Sequence, residues 1–176
     1  VRQRFQFNPF YTGVTAQPPD PAILAFHHSL PGYAPTPLYT LPALAAQLGV
    51  AAIYVKDESG RFGLKAFKAL GASWAAHRIL QSGSKLSTLT CATDGNHGRA
   101  VAWTARRLGL SAVVYVPRNC VSARQEAIRN EGAEVVVVDG TYDDAVARAA
   151  SDAAARGWQP LSDTAYPGYT EIPGWV

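Results

Sequence analysis

Lysine is scarce in this chain: Lys56, Lys65, Lys68 and Lys85 are its only examples. Lys68 is the one placed to do chemistry. It follows Lys65-Ala66-Phe67 at the start of a helical pattern, with Phe67, Leu70, Gly71 and Trp74 on one apolar stripe. A cation is disfavoured at a helix N-terminus. Partial burial and that positive end both favour the neutral amine, the form that adds to an aldehyde. A side chain that merely snorkels to solvent is the competing reading.

Two more loops carry reactive types. Thr93-Asp94-Gly95-Asn96-His97-Gly98 follows a strand pattern and opens a helix. Its glycines suit a tight turn close to a ligand, and its backbone N–H groups favour an anion. Plain N-capping by Asp94 or Asn96 is the alternative, and His97 by itself reads as structural. The third loop, Ser162-Asp163-Thr164-Ala165-Tyr166-Pro167-Gly168, sets a carboxylate among aromatics. A raised pKa there would let Asp163 exchange protons near neutrality. A turn-forming aspartate is the commoner case. His27-His28 has no metal-ligand spacing, and no metal site is expected.

These loops need a frame to hold them. Residues 1–36, rich in proline and aromatics, read as an extended arm. A short helix is expected over Leu41–Leu48 and a strand over Ala52–Val55. From there helices are predicted at Leu64–Leu80, Asn96–Leu108 and Ser122–Asn130, alternating with strands at Leu86–Ala92, Ala112–Val116 and Val135–Val138. Val101, Ala105 and Leu108 should face the core. The Val135–Val138 run suits a strand covered on both faces. Thr141 and Asp144 form a capping pattern, with Tyr142, Ala145, Val146, Ala149, Ala150 and Ala153 on the apolar stripe behind it. Trp158–Leu161 reads as one more strand, and a helix begins at Thr170. The alternation predicts an α/β fold, mostly parallel, with helices on both faces. Ligands bind beyond the carboxyl ends of such strands, where these loops fall.

The composition is globular, with 48% apolar and 16% charged residues in 176. The net charge of +3 comes from scattered arginines, so no nucleic-acid partner is expected. No apolar run reaches membrane-spanning length, and no signal pattern opens the chain. Cys91 and Cys120 lack metal spacing and suit free thiols in a reducing, cytoplasmic setting.

Three motifs carry a resemblance. SGRFGLKAFKALGASWA resembles the lysine motif of the diaminopropionate ammonia-lyases, pyridoxal-phosphate enzymes of fold type II. TDGNHGRAVAWTARRLG is similar to that family's cofactor-cradling loop and helix, and SDTAYPGYTEIPGW to its third signature. Their order matches, and the likeness runs from about Thr36 onward.

The resemblance implies that Lys68 holds pyridoxal 5'-phosphate by its aldehyde and that Asn96 hydrogen-bonds the cofactor's phenolic oxygen. It implies that Asp94 takes the α-proton of a D-substrate, the freed Lys68 that of an L-substrate, and that Asp163 contacts the distal amine. The implied substrate is a small amino acid, 2,3-diaminopropionate, converted to pyruvate and ammonia by a homodimer when full length. Residues 1–81 would be an arm and part of a large domain, 82–161 a small α/β domain, and 162–176 the return to the large one. The chain is then expected to be an N-terminal portion, with the phosphate-holding glycine-rich loop in the remainder. Two alternatives stand: a threonine or serine dehydratase, which more usually shows Ser where Asp94 stands, and a non-catalytic fragment acting as an interaction module.

Overall fold

The computed structural model describes residues 20–176. The first part of the expected arm, residues 1–19, lies outside them. The rest is not extended: Asp20 caps helix α1 (Pro21–Ser29), accepting from the Ala22 N–H at 2.9 Å, and Pro21 sets the first turn. The helix docks through Phe26, which stacks on His77 at 4.4 Å and tilts against Trp74.

Strand β1 (Leu38–Thr40), helix α2 (Pro42–Leu48) and strand β2 (Tyr54–Lys56) follow, β1 and β2 pairing antiparallel in a small sheet of their own. The strand expected at Ala52–Val55 is thus shifted and stands apart from the parallel sheet. A 3-10 turn (Arg61–Gly63) leads to helix α3 (Lys68–Gln81). The helix starts later than Leu64 because Phe62 and Lys65 adopt φ of 48° and 57°, which no right-handed helix accepts. Phe67 is exposed, correcting its place on the apolar stripe. The buried face is Ala69, Ala72, Trp74, Ala75, Ala76 and Ile79.

The main sheet is built from β3 (Thr88–Ala92), β4 (Ser111–Pro117), β5 (Glu134–Val138) and β6 (Gln159–Pro160). All three pairings are parallel and the order is β5-β4-β3-β6. Helix α4 (Asn96–Leu108) joins β3 to β4, α5 (Ser122–Arg129) joins β4 to β5, and α6 (Tyr142–Arg156) carries the chain back across to β6. A short α7 (Glu171–Trp175) closes on α3.

Period-two alternation in β4 builds the two sides. Ala112, Val114 and Val116 join the core of α3, α4 and α5, while Val113 and Tyr115 meet Ala145 and Ala149 of α6. Helices therefore cover both faces, as expected. The small faces are not interchangeable with larger ones: a Cβ on Gly98 would meet the Thr93 and Val114 side chains, so only glycine lets α4 lie this close to the sheet.

Three finer expectations fail. Leu108 is exposed, because α4 ends there at the left-handed Gly109 and its last turn leaves the sheet. Val137 is exposed, because β5 is the edge strand. Ala150 also faces solvent, since only Ala145, Ala149 and Ala153 of α6 are buried. No described helix is long and apolar enough to cross a membrane.

Candidate active site

The strand order reverses at β3. The chain steps outward from β3 to β4 and β5, then returns to β6 on the opposite side of β3. The loops leaving β3 and β6 therefore diverge around a crevice, the usual ligand site of an open parallel sheet. A cavity of about 490 Å³ opens there.

Lys68, Asp94, Asn96 and Asp163 all line it. Lys68 Nζ donates to Asp163 Oδ2 at 2.8 Å, although the two residues lie 95 positions apart. Lys68 reaches the crevice from the first turn of α3, where the backbone kinks at Phe62 and Lys65 aim the helix start. It does not come from a loop of the parallel sheet, because β2 belongs to the other one. The amine is ion-paired, so it must leave Asp163 before it can attack an aldehyde.

Asp94 and Asn96 are not helix caps. Gly95 holds the N-cap position of α4, and the buried Thr93 hydroxyl accepts from the N–H groups of Gly95 (3.0 Å) and Gly98 (3.2 Å). That division of labour leaves the Asp94 and Asn96 side chains at the cavity, on either side of a glycine. Arg124, from α5, steadies the loop by donating to the Asp94 carbonyl at 3.0 Å.

Asp163 departs from expectation. Burial works to raise its carboxyl, but the His97 ring and the Lys68 ammonium outweigh that and hold it below the usual carboxylate range. It is a standing anion and not a group that exchanges protons near neutrality. Its hydrogen-bond donor is Lys68; His97 Nδ1 stands 3.7 Å from Oδ2.

His97 is the residue that its sequence context undersold. Its Nε2–H donates to the Leu161 carbonyl at 2.7 Å, locking α4 to the end of β6. Its Nδ1 is buried and has no hydrogen-bond partner. Burial pushes the imidazole below its ordinary value, against the pull of Asp163. With Nε2 committed as donor, neutral Nδ1 is left with an unused lone pair beside Asp163. Tyr142 and Thr164 were missed as well. Tyr142 reads as a core position on the α6 stripe, yet it lines the cavity, its phenol pushed up by burial against the Thr164 side chain. No signal in periodicity distinguishes a first-turn aromatic facing a crevice from one facing a core. Cys91 and Cys120 are free and buried, burial pushing both thiols up.

The lining suits the reactive end of a pyridoxal cofactor: one primary amine, an amide at a helix start, and an orphaned ring nitrogen close by. A doubly-wound sheet with a lysine poised at its switch point defines a cofactor-handling α/β enzyme. Residues 29–174 match the family described as "Pyridoxal-phosphate dependent enzyme", and the chain belongs to that family. Its cofactor is therefore pyridoxal phosphate.

The diaminopropionate ammonia-lyase of Salmonella typhimurium is 47% identical over 175 residues, covering 88% of this chain and 43% of that protein. The Escherichia coli K12 enzyme of the same name is 44% identical, over 86% of this chain and 42% of its own. The apo crystal structure of the Escherichia coli enzyme superposes with a TM-score of 0.82 at 46% identity, over 87% of this chain and 45% of that one. A further structure of that enzyme holds an aminoacrylate-PLP azomethine reaction intermediate and matches with a TM-score of 0.82 at 45% identity, over 87% of this chain and 43% of that one. The chain spans under half the length of these relatives. The likeness read from three motifs is thereby borne out across most of the chain.

Proposed function

We propose that the protein carrying this chain eliminates ammonia from 2,3-diaminopropionate, leaving pyruvate and ammonia. The observation that carries this reading is the Lys68–Asp163 contact inside a cavity also lined by Asp94 and Asn96. Identity to ammonia-lyases supports the substrate class.

Bound pyridoxal phosphate supplies an electron sink for the pair released at the substrate α-carbon. The side chains do the rest. Lys68 holds the cofactor at rest and, once displaced by the substrate amine, takes the α-proton of an L-substrate. Asp94 takes that of a D-substrate. Asn96 donates to the cofactor's phenolic oxygen. Asp163, kept anionic, receives the substrate's distal ammonium in place of the Lys68 ammonium. Holding that nitrogen protonated matters, since an amine leaves only as the neutral molecule formed from its ammonium. The ion pair supports seating the distal nitrogen at Asp163. His97, anchored on Leu161, packs behind Asp163.

Residues 82–161 are proposed as the small domain, flanked by 1–81 and 162–176 as parts of a larger one, in a cytoplasmic homodimer. The full-length protein tests the reading. Pyridoxal phosphate should give a band at roughly 400–430 nm, lost in Lys68→Ala. Pyruvate should form faster from diaminopropionate than from serine or threonine. A band unchanged in Lys68→Ala removes Lys68 from its role. Faster turnover of the hydroxy amino acids replaces the ammonia-lyase with a dehydratase.

A further inference from the structure

A second cavity, of about 590 Å³, lies beside the first along the carboxyl rim, beyond the ends of β4 and β5. Arg118, Asn119, Gly140 and Thr141 are among its walls. Asp94 and Tyr142 are the two residues that line both cavities. Asp94 is short and exposed, which leaves the Tyr142 ring as the bulk between them.

That ring is held. Tyr142 is the first residue of α6, directly after Thr141. The Thr141 hydroxyl accepts from the Asp144 N–H, and the Asp144 carboxylate accepts in return from the Thr141 N–H at 2.7 Å. This reciprocal cap fixes the backbone from which the ring projects. The loop before it is equally constrained, since a Cβ on Gly140 would meet the Asp144 side chain at 2.5 Å. The ring itself is half-buried and shares the wall of the first cavity with Thr164. A half-buried ring rooted on so constrained a backbone does not swing aside for a larger ligand at little cost.

We propose that Tyr142 is the specificity-determining wall that confines the substrate to a short side chain, and that the second cavity is the space a distal substituent would occupy once this wall is removed. The inference rests on the ammonia-lyase reading above. The ligand class is 2,3-diaminopropionate bearing an alkyl or benzyl group on the distal nitrogen. The chemistry is unchanged and balances. The Cα–H and Cβ–N bonds break, a Cα=Cβ bond forms, and the distal nitrogen departs as the neutral amine RNH2. One water then releases the α-nitrogen as ammonium and leaves pyruvate.

The test compares wild type, Tyr142→Phe and Tyr142→Ala in the full-length protein loaded with cofactor. Pyruvate release gives kcat/KM for diaminopropionate and for its distal N-benzyl derivative, and calorimetry gives the affinity for each. Tyr142→Ala should raise the benzyl-to-parent ratio of kcat/KM by about tenfold or more, the scale at which pocket shape discriminates. Binding should shift in the same sense. Tyr142→Phe, which keeps the ring, should leave both ratios near wild type.

Equal effects of Tyr142→Ala on both compounds overturn the proposal. So does a phenylalanine variant that behaves like alanine, or a wild type that binds the benzyl compound as well as the parent. A wild type that releases no pyruvate from diaminopropionate sinks the ammonia-lyase reading instead. The calorimetric ratio still decides whether Tyr142 is the wall.

Discussion

Arg61 and Lys68 are both basic residues drawn into the interior, and each meets one carboxylate; the difference between them separates scaffold from site. Arg61 is 5% exposed and uses four of its five N–H donors. It donates to Glu58 through Nε at 2.7 Å, to Glu58 and the Thr36 hydroxyl through one terminal nitrogen, and to the Ala34 carbonyl at 2.8 Å through the other. Its guanidinium also lies over the Tyr33 ring. Glu58 in turn accepts from Thr36. Lys68 is 33% exposed and uses one of three donors, on Asp163. Beside that pair sits a buried imidazole nitrogen with no hydrogen-bond partner, and all three residues line a cavity. A charge network whose capacity is nearly filled holds a fold together. One with capacity left over beside an open space is arranged for a ligand.

The sharpest way to break this contrast is Lys68→Met against Arg61→Met in the full-length protein. Lys68→Met should cut pyruvate formation by about 10⁴-fold while lowering unfolding free energy in urea by less than about 1 kcal/mol. Arg61→Met should do the reverse in kind. It leaves the Glu58 carboxylate with only the Thr36 hydroxyl and should cost about 1–3 kcal/mol of stability. Comparable losses of stability in the two variants would erase the distinction.

Asp163→Asn comes next. Neutralising the anion should slow turnover by about 100-fold with little change in urea midpoint, because the side chain keeps its shape. Thr93→Val sharpens the boundary between site and scaffold. It strips the acceptor from two N–H groups at the start of α4 and should cost about 1–2 kcal/mol, read from the same urea curves.

The smallest effect concerns pH. His97 and His27 are held below the ordinary histidine range, in both cases chiefly by burial. As pH falls below about 6.5 the unfolded chain takes up protons that the folded chain refuses, so stability must decline. His97→Gln should flatten part of that decline, with His27 carrying the rest. An unaltered slope in the variant would deny His97 its buried, neutral state.

Much of the frame was legible because it is written in local periods. The α4 boundaries at Asn96 and Leu108 were read directly, as was the Thr141–Asp144 cap. The Asn96 and Asp94 positions follow from a turn that glycine punctuates. What local patterns missed was non-local in cause. Asp20 and Pro21 announce a helix, but the aromatic residues around them suggested an arm until Phe26 is seen against Trp74 and His77. β1 and β2 pair with each other, so the loop that leads to Lys68 does not hang from the parallel sheet. Phe67 and Leu108 fit a stripe on paper and face solvent in space.

By itself, then, the amino-acid order determined the alternation of strand and helix, the caps, and the three segments that could carry chemistry. These depend on side-chain period and backbone preference, which neighbours a few positions apart decide. Only the tertiary structure decided that Lys68 meets Asp163, that His97 stands behind it, and that Tyr142 faces a crevice and not a core. Those facts follow from β6 returning beside β3. Strand order is settled by burial summed over the whole chain, which no short stretch encodes.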